Sequence, residues 1–313
     1  MTAAPGHHNL FAYEEDGSLV DRVAPFLAEG LGEHEAVVLV VNPRKRALLS
    51  DALGDLARRV EYIDRDSYYS RPEDALANYD AKIRRYVKQG APRVRVFGEL
   101  PLCRTQEQSD TWIMYEALLN PAFAHHPVTI VCGLDAREQP DSVLEGSWQT
   151  HPQTMNERWH DNDHYHRPED IVRARTPAAD DVSGLSAVPV ETDARALRVR
   201  LLAEMAAAEV PEERAHNMLI AVGEVLANAH RHGGGARALR IGRVGPQFVC
   251  EISDHGAGLD DPLAGYLPPH SGHARGAGLW VARQMTRRVD MVSSSLGLTT
   301  RLWSEPEGGA AGA

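Results

Sequence analysis

The sequence predicts two domains of different architecture, an α/β domain in the first half of the chain and an α+β domain in the second. Up to residue 176, short apolar runs alternate with segments of helical length, a pattern that favours a mostly parallel sheet with helices on both faces. Beyond residue 190, two long helical segments precede several strand-like runs, as in an α+β domain.

The boundary between the halves is marked by composition. Residues 177–190 are rich in Ala, Pro, Ser, Gly and Asp, which is typical of an interdomain linker. We therefore predict a first domain at 1–176, a linker at 177–190, a second domain at 191–305 and a flexible tail at 306–313.

Composition also argues against several classes of protein. The 313 residues carry a formal net charge of −11 and no basic stripe, so a direct nucleic-acid binder is not expected. Three widely spaced cysteines indicate reduced thiols rather than a disulfide framework. We find neither a signal peptide nor an apolar run of the ~20 residues that a membrane span needs. We therefore expect a cytoplasmic protein that does not bind membranes.

Four apolar runs in the first half have the length of buried strands. The strand candidates lie at 37–41, 60–63, 94–97 and 128–132, and the helical segments between them at 44–53, 73–88 and 106–119. Strands that alternate with helices in this way pair in parallel through right-handed crossovers.

Polar residues stand where these strands end. The carboxyl ends of parallel strands meet at one edge of a sheet, where ligands of such folds bind. We expect Glu99 and Asp135 to lie there, with His8 nearby, and to form a small sensory pocket. Polar loop residues that simply cap the strands are the alternative. No phosphate-binding glycine motif follows these strands, so a nucleotide pocket is not predicted in this half.

Segments throughout the first half resemble the MEDS family, the DcmR-type sensory domain. They include HHNLFAYEEDGSLV from residue 7, FGELPLCRTQEQSDTWIMYEALLN, VTIVCGLDA and THP at 150–152. The resemblance spans about 6–152 and implies an α/β core of RecA-like or Rossmann-like type. It also implies a sensory or partner-binding module for which no catalysis has been demonstrated.

The segment after this region contains residues that could ligate a metal ion. They are His160, Asp161, His164 and His166. The first and third of these have the spacing of two imidazoles on one helical face. No amphipathic helix surrounds them, and Pro168 lies close behind, so an exposed polar connector is favoured over a metal site.

A carboxylate and an amide lie one helical turn apart in the second half. Glu224 and Asn228 are four positions apart and so project from the same face of a helix. Apolar residues around them, at 219–226, would hold that helix in a core. An isolated pair of this kind is typical of a solvated helix face, so its interpretation depends on the motifs that lie further along the chain.

An aspartate and two glycines come next. The run 247–252 predicts a strand, and Asp254 stands at its end, ahead of Gly256 and Gly258. A carboxylate there can accept a hydrogen bond from the exocyclic amine of a purine, and glycines allow the backbone to approach the ring. An ordinary turn is the alternative.

A second glycine motif begins a helix. The polar segment 259–274 that precedes it has a length typical of a lid or a disordered loop. The residues that lead into the helix are Arg275, Gly276, Gly278 and Leu279. Unsatisfied N–H groups and the positive end of the helix dipole make such a beginning a candidate anion site, with a flexible turn as the alternative.

The order of these features resembles the N, G1 and G2 boxes of the GHKL, or Bergerat-fold, ATPase superfamily. Within it, GEVLANAHRHG at 223–233 and DPLAG at 261–265 are similar to the anti-sigma-factor serine kinases. The resemblance covers about 190–304 and implies a Bergerat-fold sandwich that binds ATP and Mg²⁺.

The resemblance also implies a role for each motif residue. Asn228 would ligate the Mg²⁺ that bridges the ATP phosphates, and Glu224 would be the base that deprotonates a serine hydroxyl. Asp254 would hold the adenine amino group. The other implied nucleotide contacts are Gly256, Gly258, Arg275, Gly276, Gly278, Leu279, Thr299 and Thr300.

The partners implied by the resemblance are proteins. They are a sigma factor and an anti-sigma-factor antagonist, and a homodimer is possible. A non-catalytic switch, in which ATP only orders the segment 259–274 and the protein acts by binding partners, is the competing function. A histidine autokinase is disfavoured because no pair of dimerisation helices with an acceptor histidine precedes the ATPase segment.

Overall fold

The computed structural model of the chain describes residues 6–155, 158–176, 180–190, 194–269 and 277–304. It divides into two compact units, Met1–Thr176 and Pro177–Ala313. Within the described part of the chain, none of the helices combines the length and the apolar character that a membrane span requires. The tail predicted at 306–313 lies outside the described residues.

The first unit is built on a seven-stranded sheet of order β3-β2-β4-β5-β1-β6-β7. The strands are β1 (His7–Tyr13), β2 (Ala36–Val41), β3 (Glu61–Asp64), β4 (Val94–Glu99), β5 (Val128–Asp135), β6 (Gln153–Met155) and β7 (Trp159–Asp161). All neighbours pair in parallel except β6 and β7. The predicted α/β class with a mostly parallel sheet is confirmed.

Helices connect these strands. They are α1 (Asp16–Gly32), α2 (Pro43–Leu53), α3 (Arg65–Tyr68), α4 (Pro72–Lys88), α5 (Gln106–Phe123), α6 (Asp141–Thr150) and α7 (Pro168–Arg175), with a 3₁₀ helix at Gly54–Arg59. Local signals begin two of them: the Asn42 side chain accepts from the Lys45 N–H ahead of α2, and Thr105 forms a capping box with Gln108 ahead of α5.

Two parts of this sheet differ from the prediction. Strand β1 was not predicted because HHNLFAY begins with polar residues. The connector predicted around His160 instead contains β6 and β7, which form an antiparallel pair at the sheet edge. His160 itself is exposed, as expected of an edge strand that faces solvent on one side.

The second unit is built on a five-stranded antiparallel sheet of order β11-β12-β10-β9-β8. Its strands are β8 (Ser186–Val188), β9 (Ala236–Val244), β10 (Gln247–Asp254), β11 (Arg288–Ser294) and β12 (Gly297–Trp303), and its helices are α8 (Ala194–Ala207), α9 (Glu212–His232) and α10 (Ala277–Met285). Apolar residues of the helices, such as Met218, Val222 and Leu279, pack with Ile252 and Leu302 of the sheet. This confirms the predicted α+β sandwich.

The segment predicted as a linker at 177–190 is largely part of this second fold. Strand β8 pairs with β9, while Val182 and Leu185 are buried against Trp303 on the sheet face opposite the helices. The Arg240 guanidinium donates to three backbone carbonyls of the same segment. The linker prediction is therefore wrong for the described residues 180–188, because small and polar neighbours conceal their regularly spaced apolar side chains.

Candidate functional site

Helix α9 places Glu224 and Asn228 against the beginning of α10. A Cβ atom built on Gly278 would lie 2.6 Å from Oε2 of Glu224 and 3.2 Å from Nδ2 of Asn228. Both side chains are half-buried, and Asn228 Oδ1 accepts a hydrogen bond of 3.2 Å from Arg231. A side chain at position 278 would therefore displace the Glu224 carboxylate and crowd the Asn228 amide.

The first turn of α10 offers backbone N–H groups beside that carboxylate and amide. N–H groups in a first helical turn have no intrahelical partner, and the helix dipole makes them attractive to anions. The Leu279 side chain is buried in the core and so anchors α10. The backbone of Leu279 belongs to the first turn of this helix. Arg275 and Gly276, predicted to contact phosphate, lie outside the described residues.

Asp254 ends β10 with one carboxylate oxygen fully engaged. Its Oδ1 accepts from the backbone N–H groups of Gly256 and Leu298, each at 2.9 Å. Both of these bonds use the same oxygen, so among the described residues Oδ2 is left to accept from a ligand. The side chain is 9% exposed, and hydrogen bonds hold it in a fixed orientation.

Glycines surround Asp254 on two sides. A Cβ on Gly233, which comes directly after α9, would collide with Asp254 Oδ2, and a Cβ on Gly297 would collide with the Asp254 carbonyl oxygen. Gly297 also has a φ of 127°, which strains any residue with a side chain. The His255 N–H donates to the Gly233 carbonyl at 2.9 Å and ties the end of β10 to the end of α9.

The two remaining glycines shape the loop after Asp254. A Cβ on Gly256 would meet the Gly233 Cα at 2.9 Å, and a Cβ on Gly258, whose φ is 87°, would meet Ser293 at 3.0 Å. The Ser293 hydroxyl accepts from the Leu259 N–H at 2.8 Å and donates to the Leu259 carbonyl at 2.9 Å. The loop is thereby held against β11.

Thr299 and Thr300 lie on opposite faces of the sheet. Thr300 pairs with Ile252 on the face that packs against the helices and is 2% exposed. Thr299 pairs with Ser253, and the two hydroxyl oxygens are 2.9 Å apart on the other face. Because neighbouring residues of a strand alternate between faces, the two threonines cannot serve the same site.

The first part of the predicted lid is packed rather than loose. Leu263, Ala264 and Leu267 are buried, and a Cβ on Gly265 would lie only 2.6 Å from Leu279 Cβ. The Arg283 guanidinium stacks 3.5 Å from the centre of the Tyr266 ring. Residues 264–266 therefore pack on α10, whereas residues 270–274 lie outside the described residues.

The two halves of the site are linked along one helix. Asn228 precedes Gly233 by five positions, which corresponds to about 7.5 Å along a helix axis. Glu224 and the N-terminus of α10 thus lie toward one end of this stretch and Asp254 at the other. An elongated ligand with an anionic end and a hydrogen-bond donor at its other end matches this arrangement.

In the first unit, Glu99 and Asp135 meet at Lys45. The Lys45 ammonium is fully buried and lies 2.9 Å from Glu99, 3.0 Å from Asp135 and 3.3 Å from Glu138. The Tyr13 hydroxyl also donates to Glu99. The predicted convergence at the carboxyl ends of β4 and β5 is present in the structure, with a buried cation at its centre.

Burial and ion pairs act against each other in this network. Burial raises the pKa of Glu99 above its ordinary value although Lys45 opposes the shift. Burial also acts to raise the pKa of Asp135, but hydrogen bonds from Arg137 and Lys45 outweigh it and hold that pKa well below the ordinary value. Asp135 is therefore the more firmly ionised of the two.

His8 does not join this network, so that part of the predicted pocket is wrong. His8 belongs to the strand set that faces α5, whereas Tyr13 and Glu99 face the α1 and α2 side of the sheet. His8 and Asn120 instead line a separate cavity of about 360 Å³. The error has a simple cause: His8 stands near the beginning of its strand, not at its carboxyl end.

Several residues of these sites were not predicted. The sequence gives only a weak indication that Lys45 belongs to a site: it stands in the first turn of a helix that follows the end of a strand. Gly233 has a stronger one, because it closes the GEVLANAHRHG motif. Nothing in the sequence indicates the roles of Gly297 and Ser293, because those roles depend on how β11 and β12 approach Asp254.

Comparison with known proteins assigns both units. Residues 7–152 match the family model of MEDS, the methanogen/methylotroph, DcmR sensory domain, and residues 189–303 match that of the histidine kinase-like ATPase domain. No curated protein matches the chain. A solved structure, "The cytoplasmic domain of EssC", is 18% identical with a TM-score of 0.27, and the match covers 47% of this chain and 29% of that one. The chain thus combines a MEDS sensory domain with a histidine kinase-like ATPase domain.

Proposed function

We propose that the second unit binds MgATP and phosphorylates a serine of an anti-sigma-factor antagonist, and that in another state the chain holds a sigma factor. The chain would then be a cytoplasmic regulator of transcription whose first unit senses a ligand or a partner. The observation that carries this proposal is the position of Glu224 and Asn228 at the N-terminus of α10, around Gly278.

The residues at the two ends of the site suit the two ends of ATP. Asp254 Oδ2 accepts from the adenine amino group, while Oδ1 stays bound to the backbone. The first-turn N–H groups of α10 donate to phosphate oxygens. Thr300 shares the helix-covered face with Ile252, so we retain it rather than Thr299 as the neighbour of the nucleotide.

Asn228 supplies the amide oxygen for Mg²⁺, a hard cation that prefers oxygen ligands. When bound, Mg²⁺ neutralises charge on the phosphates and fixes their orientation. Glu224 lies one turn from Asn228, where it can accept the proton of an incoming serine hydroxyl. The chain thus contributes positioning and one proton acceptor, which is most of what phosphoryl transfer requires.

The test uses labelled ATP with the purified chain and the antagonist protein captured with it from its host. Wild type should transfer phosphate to serine. Glu224→Gln should bind MgATP with unchanged affinity and transfer about 10²–10⁴-fold more slowly, the usual effect of losing a general base. Asn228→Ala should lose Mg²⁺-dependent binding. Transfer by Glu224→Gln at the wild-type rate would exclude Glu224 as the base.

The same measurement separates the kinase from a nucleotide-dependent switch. If the wild type binds ATP measurably but transfers no phosphate, the kinase function is excluded. The nucleotide-dependent switch, in which ATP changes only the binding of partners, then remains. Light scattering on the chain with and without MgATP tests the proposed homodimer. The net charge of −11 supports protein partners rather than nucleic acid.

A further inference from the structure

We infer that the first unit binds a zinc-class divalent metal ion between His8, Glu116, Cys132 and His151. These residues come from β1, α5, β5 and the position directly after α6. Their ligand atoms all lie within 4.8 Å of one another, and all four side chains are buried. The inference does not depend on the proposed nucleotide chemistry.

The two histidines are oriented as metal ligands are. His151 Nδ1 lies 2.7 Å from the Ser147 carbonyl, which can only accept, so Nδ1 carries the hydrogen. Asn120 donates through Nδ2 to the carbonyls of Thr150 and Ala117, so its Oδ1 faces His8 Nδ1 at 3.2 Å and accepts from it. Metal-bound histidines are held in this way, with the other ring nitrogen donating to a carbonyl.

Both Nε2 atoms therefore turn a lone pair toward the same place. Each lies 3.0 Å from Glu116 Oε2, and His8 Nε2 accepts a hydrogen bond of 3.2 Å from the Cys132 thiol, whose proton metal binding would release. His151 Nε2 is buried and makes no hydrogen bond within the described residues. Lone pairs that face a carboxylate oxygen at this distance repel each other, and a buried polar atom without a partner is costly.

Both rings could donate to Glu116 from Nε2 only as imidazolium ions, because their Nδ1 atoms already donate to Asn120 Oδ1 and to the Ser147 carbonyl. Two imidazolium ions would leave a net positive charge beside one carboxylate in a closed interior. A bound cation satisfies both lone pairs and the carboxylate at once.

The donor set selects the metal. Two imidazole nitrogens, one thiolate sulfur and one carboxylate oxygen are ligands that Zn²⁺ takes in four-coordinate sites, whereas Mg²⁺ and Ca²⁺ prefer oxygen alone. The Cys132 thiol releases its proton to solvent on binding, so two anionic ligands balance the charge of the ion. Tetrahedral geometry with usual bond lengths separates ligand atoms by roughly 3.3–3.7 Å. The pairs at 3.0–3.2 Å need to open by a few tenths of an ångström, and a pair as wide as the limit of 4.8 Å needs to close by about 1 Å.

The cluster lies beside a cavity of about 360 Å³, which is lined by His8, Asn120 and Pro152. His151 is the histidine of the THP segment at 150–152, and Cys132 lies in VTIVCGLDA. Two segments by which the first half resembles its family thus meet in one cluster.

The test measures metal content and the spectrum of the Co²⁺ form of the full chain. We expect one zinc per chain after purification with ZnCl₂ and gel filtration, and a thiolate-to-cobalt charge-transfer band when Co²⁺ replaces it. Cys132→Ser should lose the band. The matched control is Cys103→Ser, which removes another buried cysteine of the same unit and should keep both metal and band.

A second variant tests the orientation of His8 without removing a ligand. Asn120→Ala should bind zinc about 10–100-fold more weakly, the usual effect of losing a partner that orients a metal ligand. If Cys132→Ser fails to fold, the spectrum of the Co²⁺ form of the wild type and the zinc affinity of Asn120→Ala still test the inference. Wild type without zinc, or with Co²⁺ but without the thiolate band, would overturn the inference, and the latter would indicate binding at exposed histidines such as His160.

Discussion

Gly278 shows how a single missing side chain can define a site. We predict that Gly278→Ala weakens MgATP binding about tenfold or more, because its Cβ would displace Glu224 and Asn228 and a hydrogen bond to a charged group is worth about 1.5–3 kcal/mol. Isothermal titration with MgATP measures the loss. Gly223→Ala is the matched control, since its Cβ meets nothing within 4 Å and the affinity should stay at the wild-type value.

Asp254 allows its two oxygens to be tested separately. Asp254→Asn keeps an acceptor for the N–H groups of Gly256 and Leu298 but places an amide nitrogen where Oδ2 accepts. We predict a 10–100-fold loss of ATP affinity, again from one charge-assisted hydrogen bond, with little change in thermal stability. Unchanged affinity for ATP would place the adenine elsewhere.

At the residue scale, the spacing of motifs predicted which residues close together in the sequence share a site. It did not predict sites formed by residues that are far apart in the sequence. Glu224 and Asn228 were predictable because four positions on a helix bring side chains together. His8, Cys132 and His151 were not grouped, because only the parallel pairing of β1 with β5 and the end of α6 bring them together. Spacing along the chain carries no information about such contacts.

At the scale of elements, Lys45 links α2 to the ends of β4 and β5. We predict that Lys45→Met lowers the free energy of unfolding by about 3–5 kcal/mol, since it leaves buried carboxylates without their cation. Urea unfolding measures this. Arg44→Ala is the control, because Arg44 is exposed and its ion pair with Asp16 contributes little.

The pH dependence of the Lys45→Met variant has a definite sign. The pKa of Asp135 in the folded chain lies below its unfolded value, so its stabilisation is present above the unfolded pKa and is lost as pH falls. The difference between wild type and variant should therefore shrink as pH falls below about 4, where carboxylates of the unfolded chain protonate. A difference that grows toward acid would contradict this account of the network.

The segment before α8 gives a test of the corrected domain boundary. Leu185→Ala should cost about 2–5 kcal/mol in the second unit, because Leu185 is 6% exposed and packs with Val249 and Trp303. Faster hydrogen exchange of the amides in β9 and β10 would report this loss of stability. Val190→Ala, at an exposed position of the same segment, should leave exchange unchanged.

Strands and helices could be predicted where the sequence has a long apolar run or a clear helical pattern. The apolar runs of β2, β4 and β5 and the helices after them match the pattern expected of buried parallel strands. Strand β8 was missed since turn-type residues surround its few apolar ones, and β1 because its first residues are histidines. In both cases pairing with a distant strand decides the structure, which local propensity does not record.

At the scale of the whole molecule, nucleotide binding should appear as protection of the second unit. At a concentration one hundred times Kd, a ligand adds about 2.7 kcal/mol to the stability of the state that binds it. We therefore predict that MgATP slows the slowest-exchanging amides of 194–304 by up to about a hundredfold. Asn228→Ala should show no such slowing under the same conditions.

The place of β1 in its sheet has a consequence for how the first unit folds. Residue 7 pairs with residue 129, so β1 gains its neighbour only after β2, β3 and β4 have been synthesised. Pairing over such a separation is slow, because the intervening chain loses entropy before the contacts form. Until β5 emerges from the ribosome, β1 remains an unpaired strand exposed to premature association. Since His8 and His151 are far apart in the sequence of this unit, the inferred metal ion could be captured only after His151 has been synthesised and would lock the completed topology.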